Sequence, residues 1–178
     1  PVTVRGIDPS YLHMAIMKLR AMGCCVEAGE DWITCSRNQP LQPTDIQTLP
    51  HPGFPTDLQA QFMLLCSLAH GTSMVTENVF ENRFMFASEL ARMGADITIE
   101  DHHALVRGVE LLQGAPVKAT DLRAGAALVL AGIVAEGETR VSHIYHNIKH
   151  IDRGYEDYCG KLSQLGANVS RRQVGAAE

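Results

Sequence analysis

Two aspartates, Asp57 and Asp121, occupy the same position in a repeated motif and are the first candidates for chemistry. The motif reads Thr-Asp-Leu-Gln-Ala at 56–60 and Thr-Asp-Leu-Arg-Ala at 120–124, and each copy opens an apolar segment with helical character. An aspartate at the start of a helix commonly caps the free backbone N–H groups there, a role for which the preceding threonines compete. The alternative is a carboxylate that faces a cleft, where it can act as a base or bind a hydroxyl group.

Three arginines predict an anion-binding surface near these aspartates. Arg83 and Arg153 follow equivalent strand-to-helix corners, and Arg123 is the single charged residue in the segment 122–135. A guanidinium in such an apolar helix needs a partner, which we expect to be Asp121 or an anionic ligand. Three arginines that converge at one end of a domain could bind phosphate and carboxylate groups, whereas separate ion pairs would be the alternative.

Other reactive side chains give weaker signals. His143, His146 and His150 are spaced three and four residues apart, but no carboxylate or cysteine is placed to complete a metal site. We therefore expect neither a metal nor a cofactor. The five cysteines include no C-x-x-C pair and favour a reducing compartment over a disulfide framework. None has a visible activating base, so none is a candidate nucleophile.

The candidate residues lie in a repeated unit. The segments LRAMG at 19–23, LARMG at 90–94 and LSQLG at 162–166 recur at spacings of 94 − 23 = 71 and 166 − 94 = 72 residues, and each closing glycine is a candidate helix C-cap. We expect a single domain over 1–178 with repeats near 1–48, 49–114 and 115–172. The first repeat lacks its opening helix and the chain starts at a proline, so the sequence suggests a fragment of a longer protein.

Each complete repeat is predicted to fold as αβαββ. The predicted helices cover 10–22, 57–70, 83–93, 121–135 and 155–165, and the predicted strands cover 26–30, 32–36, 72–79, 96–100 and 104–109. The first helix of each complete repeat is apolar nearly all round and must be buried on every side, whereas the strands alternate polar and apolar residues. The expected fold class is therefore α/β, with inner helices and outer sheets around a pseudo-threefold axis.

Composition limits the partners. The chain has 178 residues, of which 46% are hydrophobic and 20% charged, as in ordinary globular domains. Its 15 Lys+Arg and 20 Asp+Glu give a net charge of −5 without a basic cluster, so nucleic acid is a poor candidate partner. The longest apolar run, 124–135, is shorter than the roughly 20 residues that span a bilayer. We expect no membrane segment and a cytoplasmic location.

Four ordered segments of the chain carry a family resemblance. They read GFPTDLQAQF at 53–62, ENVFENRFM at 77–85, ATDLRA at 119–124 and HIDRGYE at 150–156. In this order they resemble the C-terminal half of the bacterial UDP-N-acetylglucosamine enolpyruvyl transferase family, and the resemblance extends over essentially the whole chain.

The resemblance implies an enolpyruvyl transferase-like inside-out α/β barrel, one of two such domains with the active site in the cleft between them. It implies transfer of the enolpyruvyl group of phosphoenolpyruvate to the 3′-hydroxyl of UDP-N-acetylglucosamine, with release of phosphate, in peptidoglycan biosynthesis. The partner of this chain would be the missing N-terminal half of the enzyme, and we expect the chain alone to be inactive or nearly so.

The resemblance also implies roles for individual residues. Asp57 would be the candidate base at the sugar 3′-hydroxyl, Thr56 and Val79 would contact the UDP-sugar, and Arg153 would hold phosphoenolpyruvate. The remaining cleft residues would be Phe80, Arg83, Asp121, Leu122 and Arg123. The lead-in at 143–149 is longer than the family's, which leaves the placement of the Arg153 corner open. Two other readings also stay open, namely a non-catalytic UDP-sugar-binding module and a shikimate-type enolpyruvyl transferase.

Overall fold

The computed structural model describes residues 1–81, 83–143, 151 and 153–172. Within these ranges the helices are α1 His13–Ala21, α2 Gln59–Ser67, α3 Ala87–Arg92, α4 Leu122–Val134 and α5 Tyr158–Gln164. The strands are β1 Val2–Arg5, β2 Cys25–Ala28, β3 Trp32–Ser36, β4 Ile46–Gln47, β5 Thr72–Thr76, β6 Asp96–Glu100, β7 His103–Arg107, β8 Pro116–Ala119 and β9 Arg140–His143. Short 3₁₀ turns at Pro9–Leu12 and Thr56–Leu58 lead into α1 and α2.

The strands form three sheets, ordered β1-β3-β2, β4-β5-β7-β6 and β8-β9. The first and second sheets match when β1, β2 and β3 are set against β5, β6 and β7, because the antiparallel pairings are the same. The first repeat is therefore β1-α1-β2-β3, without the strand and helix that open the second repeat.

The repeat unit is βαβαββ, so the predicted αβαββ unit was wrong at its start. β4 and β8 each precede an inner helix and pair in parallel with the strand that follows that helix. β4 has only two residues, which is too short for a periodic sequence pattern. It is defined by its parallel pairing with β5, so the sequence alone could not predict it. Residues 165–172 form no strand, and the closing hairpin expected for the third repeat is not found in the described part of the chain. The division of the chain at 48/49 and 114/115 stays a prediction.

The helices are shorter than predicted at their ends, whereas two strands and α4 match their predicted ranges closely. α3 begins at Ala87 where 83 was expected, because the preceding residues form turns. β6 and β3 have the predicted bounds, and α4 differs from its predicted range by one residue at each end. Gly23, Gly94 and Gly166 follow α1, α3 and α5 with φ of +87°, +95° and +91°, which confirms the predicted glycine C-caps.

The core lies between the inner helices and the sheets. Seven of the nine residues of α2 are buried, including Phe62 and Met63, and α4 buries its stretch 124–128. In β5 and β7 buried residues alternate with more exposed ones, so each strand turns one face to the helices. Burial of helices behind outer sheets confirms the predicted inside-out α/β arrangement. In the described ranges, no helix has both the length and the apolar character to cross a bilayer.

Candidate functional site

Asp57 lies between two arginines from different repeats. Its Oδ2 accepts a hydrogen bond from Nη2 of Arg123 at 2.9 Å, and its Oδ1 is 3.5 Å from Nη2 of Arg83. The Asp57 side chain is 54% exposed, whereas the Arg83 and Arg123 side chains are 20% and 27% exposed. The carboxylate caps no backbone N–H of α2. The helix-cap interpretation was therefore wrong for Asp57, and its carboxylate faces solvent beside two cations.

Asp121 caps a helix, although its sequence motif is nearly the same as that of Asp57. Its Oδ1 accepts hydrogen bonds from the backbone N–H groups of Arg123 and Ala124 at 2.8 and 2.9 Å, which caps α4. The hydroxyl of Thr120 is buried and has no partner, so Asp121 is the cap. Asp121 was the expected side-chain partner of the Arg123 guanidinium, and this was wrong, because Asp57 provides that partner.

These residues line an open cleft of about 420 Å³. Its lining consists of Asp57, Phe80, Glu81, Arg83, Asp121, Leu122 and Arg123. All of these except Glu81 were expected from the sequence. Val79 is 38% exposed and directly precedes Phe80 in the chain. The volume falls in the range of small-molecule sites, which is about 300–1,000 Å³.

The structure brings together two of the three arginines that were expected to converge. Arg83 and Arg123 meet at Asp57, whereas Arg153 is exposed, does not line the cleft and forms no ion pair with the residues that the structure describes. The Arg153 corner is nevertheless close to the cleft. A Cβ placed on Gly154 would lie 2.8 Å from Leu122 Cδ2 and 3.2 Å from Arg123 Nη1.

An aromatic ring supports each of the paired arginines. The Arg83 guanidinium lies over the Phe80 ring at 4.8 Å, and that of Arg123 over the Tyr155 ring at 5.3 Å. The Tyr155 hydroxyl accepts a hydrogen bond from Gln61 Nε2 at 3.1 Å, which ties this ring to α2. Interactions with Tyr155 and then Asp57 raise the pKa of Arg123, so its charge is fixed. The role of Tyr155 was not predicted, although it lies in the HIDRGYE segment.

A buried acid, Glu77, stands behind the cleft and was also missed. Its side chain is only 3% exposed, and it accepts four hydrogen bonds from hydroxyl and backbone N–H groups. One of the donors is the hydroxyl of Thr56, which also accepts a hydrogen bond from Arg83 Nη1 at 3.3 Å. The predicted strand 72–79 included Glu77, whereas β5 ends at Thr76 and Glu77 follows it, so strand periodicity gave no sign of a buried carboxylate.

The other candidate reactive groups contribute no further centre. His146 and His150 lie outside the described residues, and only the backbone of His143 is described. Among the described residues, no group of three or more His, Cys, Asp or Glu side chains is arranged to hold a metal ion. Cys66 is buried, and burial raises the pKa of its thiol to about 11, so it stays protonated at neutral pH.

Comparison with known proteins gives one consistent family. A family model described as EPSP synthase (3-phosphoshikimate 1-carboxyvinyltransferase) matches residues 1–162. UDP-N-acetylglucosamine 1-carboxyvinyltransferase of Aeromonas hydrophila subsp. hydrophila is 53% identical over 171 residues, which are 96% of this chain and 40% of that protein. The protein of the same name from Psychrobacter sp. (strain PRwf-1) is 51% identical over 170 residues, or 96% and 38% of the two chains.

Solved structures agree with this assignment. The enolpyruvyl transferase NikO from Streptomyces tendae superposes with a TM-score of 0.82 at 32% identity, covering 94% of this chain and 39% of that one. EPSP synthase from Acinetobacter baumannii superposes with a TM-score of 0.58 at 21% identity, covering 81% and 36%, and shares the fold. This chain spans about 40% of the length of the curated relatives that it matches.

Proposed function

Since the chain belongs to the EPSP synthase (3-phosphoshikimate 1-carboxyvinyltransferase) family, we propose that it forms one wall of the active site of an enolpyruvyl transferase. The proposed acceptor is the 3′-hydroxyl of UDP-N-acetylglucosamine and the proposed donor is phosphoenolpyruvate. The observation that carries this proposal is the Asp57 carboxylate, exposed in the cleft between Arg83 and Arg123. We place the reaction in peptidoglycan synthesis and in the cytoplasm.

The proposed reaction needs a base and an anion site, and the cleft offers the base. Asp57 takes the proton of the sugar hydroxyl as its oxygen forms a bond to C2 of phosphoenolpyruvate, whose C3 accepts a proton from an acid. A base then removes a C3 proton from the adduct as the C2–O bond to phosphate breaks, which gives the enolpyruvyl ether and inorganic phosphate. Arg83 and Arg123 hold the carboxylate of Asp57 in place and balance its charge.

The charges of the cleft support the proposal that a further part of the enzyme completes it. Its lining carries the carboxylates of Asp57, Glu81 and Asp121 against the two guanidiniums of Arg83 and Arg123. Such a lining cannot by itself neutralise a phosphorylated carboxylate donor. We therefore propose that the donor's anionic groups are held by Arg153 and by cationic residues in the part of the relatives that this chain does not match.

Two acceptors are compatible with the family, and the sequence comparison favours the UDP-sugar. Relatives named for UDP-N-acetylglucosamine are 51% and 53% identical to this chain, whereas the EPSP synthase structure is 21% identical. The family model bears the name of the shikimate enzyme, so 3-phosphoshikimate is the second candidate. The alternative to catalysis is a non-catalytic UDP-sugar-binding module, and the exposed Asp57 carboxylate with its two arginine partners favours catalysis over it.

A chimera tests the proposal without requiring this chain to act alone. In it, residues 1–172 replace the matching part of the Aeromonas hydrophila relative, and phosphate release from phosphoenolpyruvate is measured with each acceptor. We expect turnover with UDP-N-acetylglucosamine, little with 3-phosphoshikimate, and none from the isolated chain. A folded chimera without turnover, next to an active unmodified relative, would contradict catalysis, and preference for 3-phosphoshikimate would contradict the acceptor.

A further inference from the structure

The carboxylate of Glu77 is buried without a cation among its hydrogen-bond partners. Oε1 accepts hydrogen bonds from Thr48 Oγ1 at 2.7 Å and from the backbone N–H groups of Val79 and Phe80 at 2.8 and 3.1 Å. Oε2 accepts one from Thr56 Oγ1 at 2.9 Å. A buried charge is tolerated only where hydrogen bonds replace its water shell, and here four neutral donors do so.

We propose that Glu77 is a positioning residue that fixes Asp57 and the Val79–Phe80 segment in the geometry required for reaction. It touches neither the cleft nor the reacting atoms, and it acts through the groups that it holds. The effect on turnover rests on the proposed function, whereas the effect on geometry does not.

The first link runs through the Thr56 hydroxyl. A hydroxyl has one hydrogen to donate, and Thr56 donates it to Glu77, which leaves its lone pairs free for the N–H of Arg83 at 3.3 Å. The same guanidinium reaches Asp57 with its other terminal nitrogen at 3.5 Å. The order Glu77, Thr56, Arg83, Asp57 is thus a continuous series of hydrogen bonds from the core to the cleft.

The second link runs through the backbone. The N–H groups of Val79 and Phe80 both point at Oε1, so residues 77–80 fold around the carboxylate. Thr48 Oγ1 accepts from the backbone N–H of Asn78 at 2.9 Å and closes the same turn. This turn also positions the Phe80 ring beneath Arg83, whose guanidinium lies 4.8 Å from the centre of that ring.

Glu77→Gln breaks the first link and spares the second. The amide keeps one oxygen, which can stay with Thr48, Val79 and Phe80, but its NH₂ group must then face Thr56 as a donor. The Thr56 hydroxyl then has to turn its hydrogen away from residue 77. That hydrogen needs another acceptor, for which it competes with the N–H groups of Arg83. The substitution removes one charge and leaves the size of the side chain unchanged, so a change at Asp57 reports the altered hydrogen bond and not a cavity.

The kinetic test uses Glu77→Gln, Thr56→Val and the double variant in the chimera. We expect kcat to fall about 10- to 100-fold in each single variant, while KM for phosphoenolpyruvate changes less than about threefold, since small misplacements act on the reacting geometry. The double variant should be no more than about threefold below the weaker single variant, because both changes cut the same link. Full multiplication of the two losses, or an unchanged kcat in folded Glu77→Gln, would overturn the proposal.

The matched control is Glu89→Gln. Glu89 accepts a hydrogen bond from the backbone N–H of Lys118 at 2.9 Å and lies on α3, outside the cleft lining. We expect its kcat to stay within about twofold of the unsubstituted chimera, since its amide oxygen can still accept that bond. A loss as large as that of Glu77→Gln would show that any acid replacement has this effect, and would overturn a specific role for Glu77.

A second readout is independent of catalysis. In two-dimensional NMR spectra of the chain, Glu77→Gln should shift the signals of the Asp57 amide and the Arg83 Nε–H, and not only those of residues 76–80. Shifts confined to 76–80 would overturn the link to Asp57 even if the chimera is active, and the expected shifts would uphold it even if the chimera is not. Should Glu77→Gln fail to fold, Glu77→Asp keeps the charge but cannot reach Thr56 and the 79–80 turn together, and the same shifts are expected.

Discussion

Replacement of Asp57 by asparagine should separate activity from stability. The substitution keeps the shape of the side chain but removes its charge and half of its capacity to accept hydrogen bonds. The two guanidiniums that now share the carboxylate, at 2.9 Å from Arg123 and 3.5 Å from Arg83, would then lose their anionic partner. An asparagine cannot take a proton from a hydroxyl group, so the proposed base is lost as well.

The stability cost is expected to be small. The Asp57 side chain is 54% exposed, and ion pairs at such positions contribute about 0–1 kcal/mol each. The 3.5 Å contact is long for a charged hydrogen bond, so the pair at 2.9 Å should dominate. We therefore expect the free energy of unfolding to fall by roughly 1 kcal/mol or less.

The expected loss of activity is much larger. A positioned general base contributes about 10²- to 10⁴-fold to a rate, which corresponds to about 3–5 kcal/mol of barrier. Steady-state phosphate release by the chimera measures this loss, and urea denaturation followed by circular dichroism measures the stability. Activity within about tenfold of the unsubstituted chimera would refute the role of Asp57 as a base.

Asp96→Asn is the matched control for this comparison. Asp96 is 52% exposed and pairs with Arg107 at 3.1 Å, in β6 and β7 away from the cleft lining. Its replacement should cost a similar small amount of unfolding free energy without loss of turnover. An equal loss of activity in both variants would indicate a general effect of charge removal and contradict the assignment.

Further outcomes are expected at Arg123, Gly154 and Cys66. Arg123→Lys keeps the charge but loses the planar group that meets a carboxylate and an aromatic ring together, so kcat/KM should fall about tenfold or more in steady-state kinetics. Gly154→Ala should raise KM for phosphoenolpyruvate with little change in melting temperature, since its Cβ would displace the movable ends of Leu122 and Arg123. The Cys66 thiol should resist aromatic disulfide reagents in the native chain and react in urea, whereas exposed Cys25 reacts in both. Because burial raises the pKa of Cys66 from 9.0 to about 11, its contribution to stability is present below pH 9 and is lost as the pH rises towards 11, which urea titrations across this range can measure.

The elements that local patterning specifies were predictable from the sequence. α4 carries an apolar segment over 124–134, after its aspartate cap and Arg123, and its burial follows from the composition of that segment. β6 alternates polar and apolar residues between a glycine turn and Asp101, and its bounds are those predicted. The resemblance of four segments then identified six of the seven residues of the cleft lining.

The features that depend on distant partners were not predictable in this way. Asp57 and Asp121 share a motif, but one pairs with a guanidinium 66 positions away and the other caps its own helix. The two-residue β4 exists because β5 lies beside it. Glu77 reads as a surface residue until Thr48 and Thr56, which lie 29 and 21 positions from it, are brought to its carboxylate. Tertiary contacts select among local structures and roles that the sequence leaves equivalent.

A crystal structure of the chimera with bound UDP-N-acetylglucosamine would show whether Asp57 meets the acceptor hydroxyl. We predict that the sugar 3′-hydroxyl oxygen lies about 2.6–3.2 Å from a carboxylate oxygen of Asp57, with Arg123 still in contact with that carboxylate. A sugar bound in the cleft with its 3′-hydroxyl directed away from Asp57, or a UDP-sugar bound outside the cleft, would contradict it.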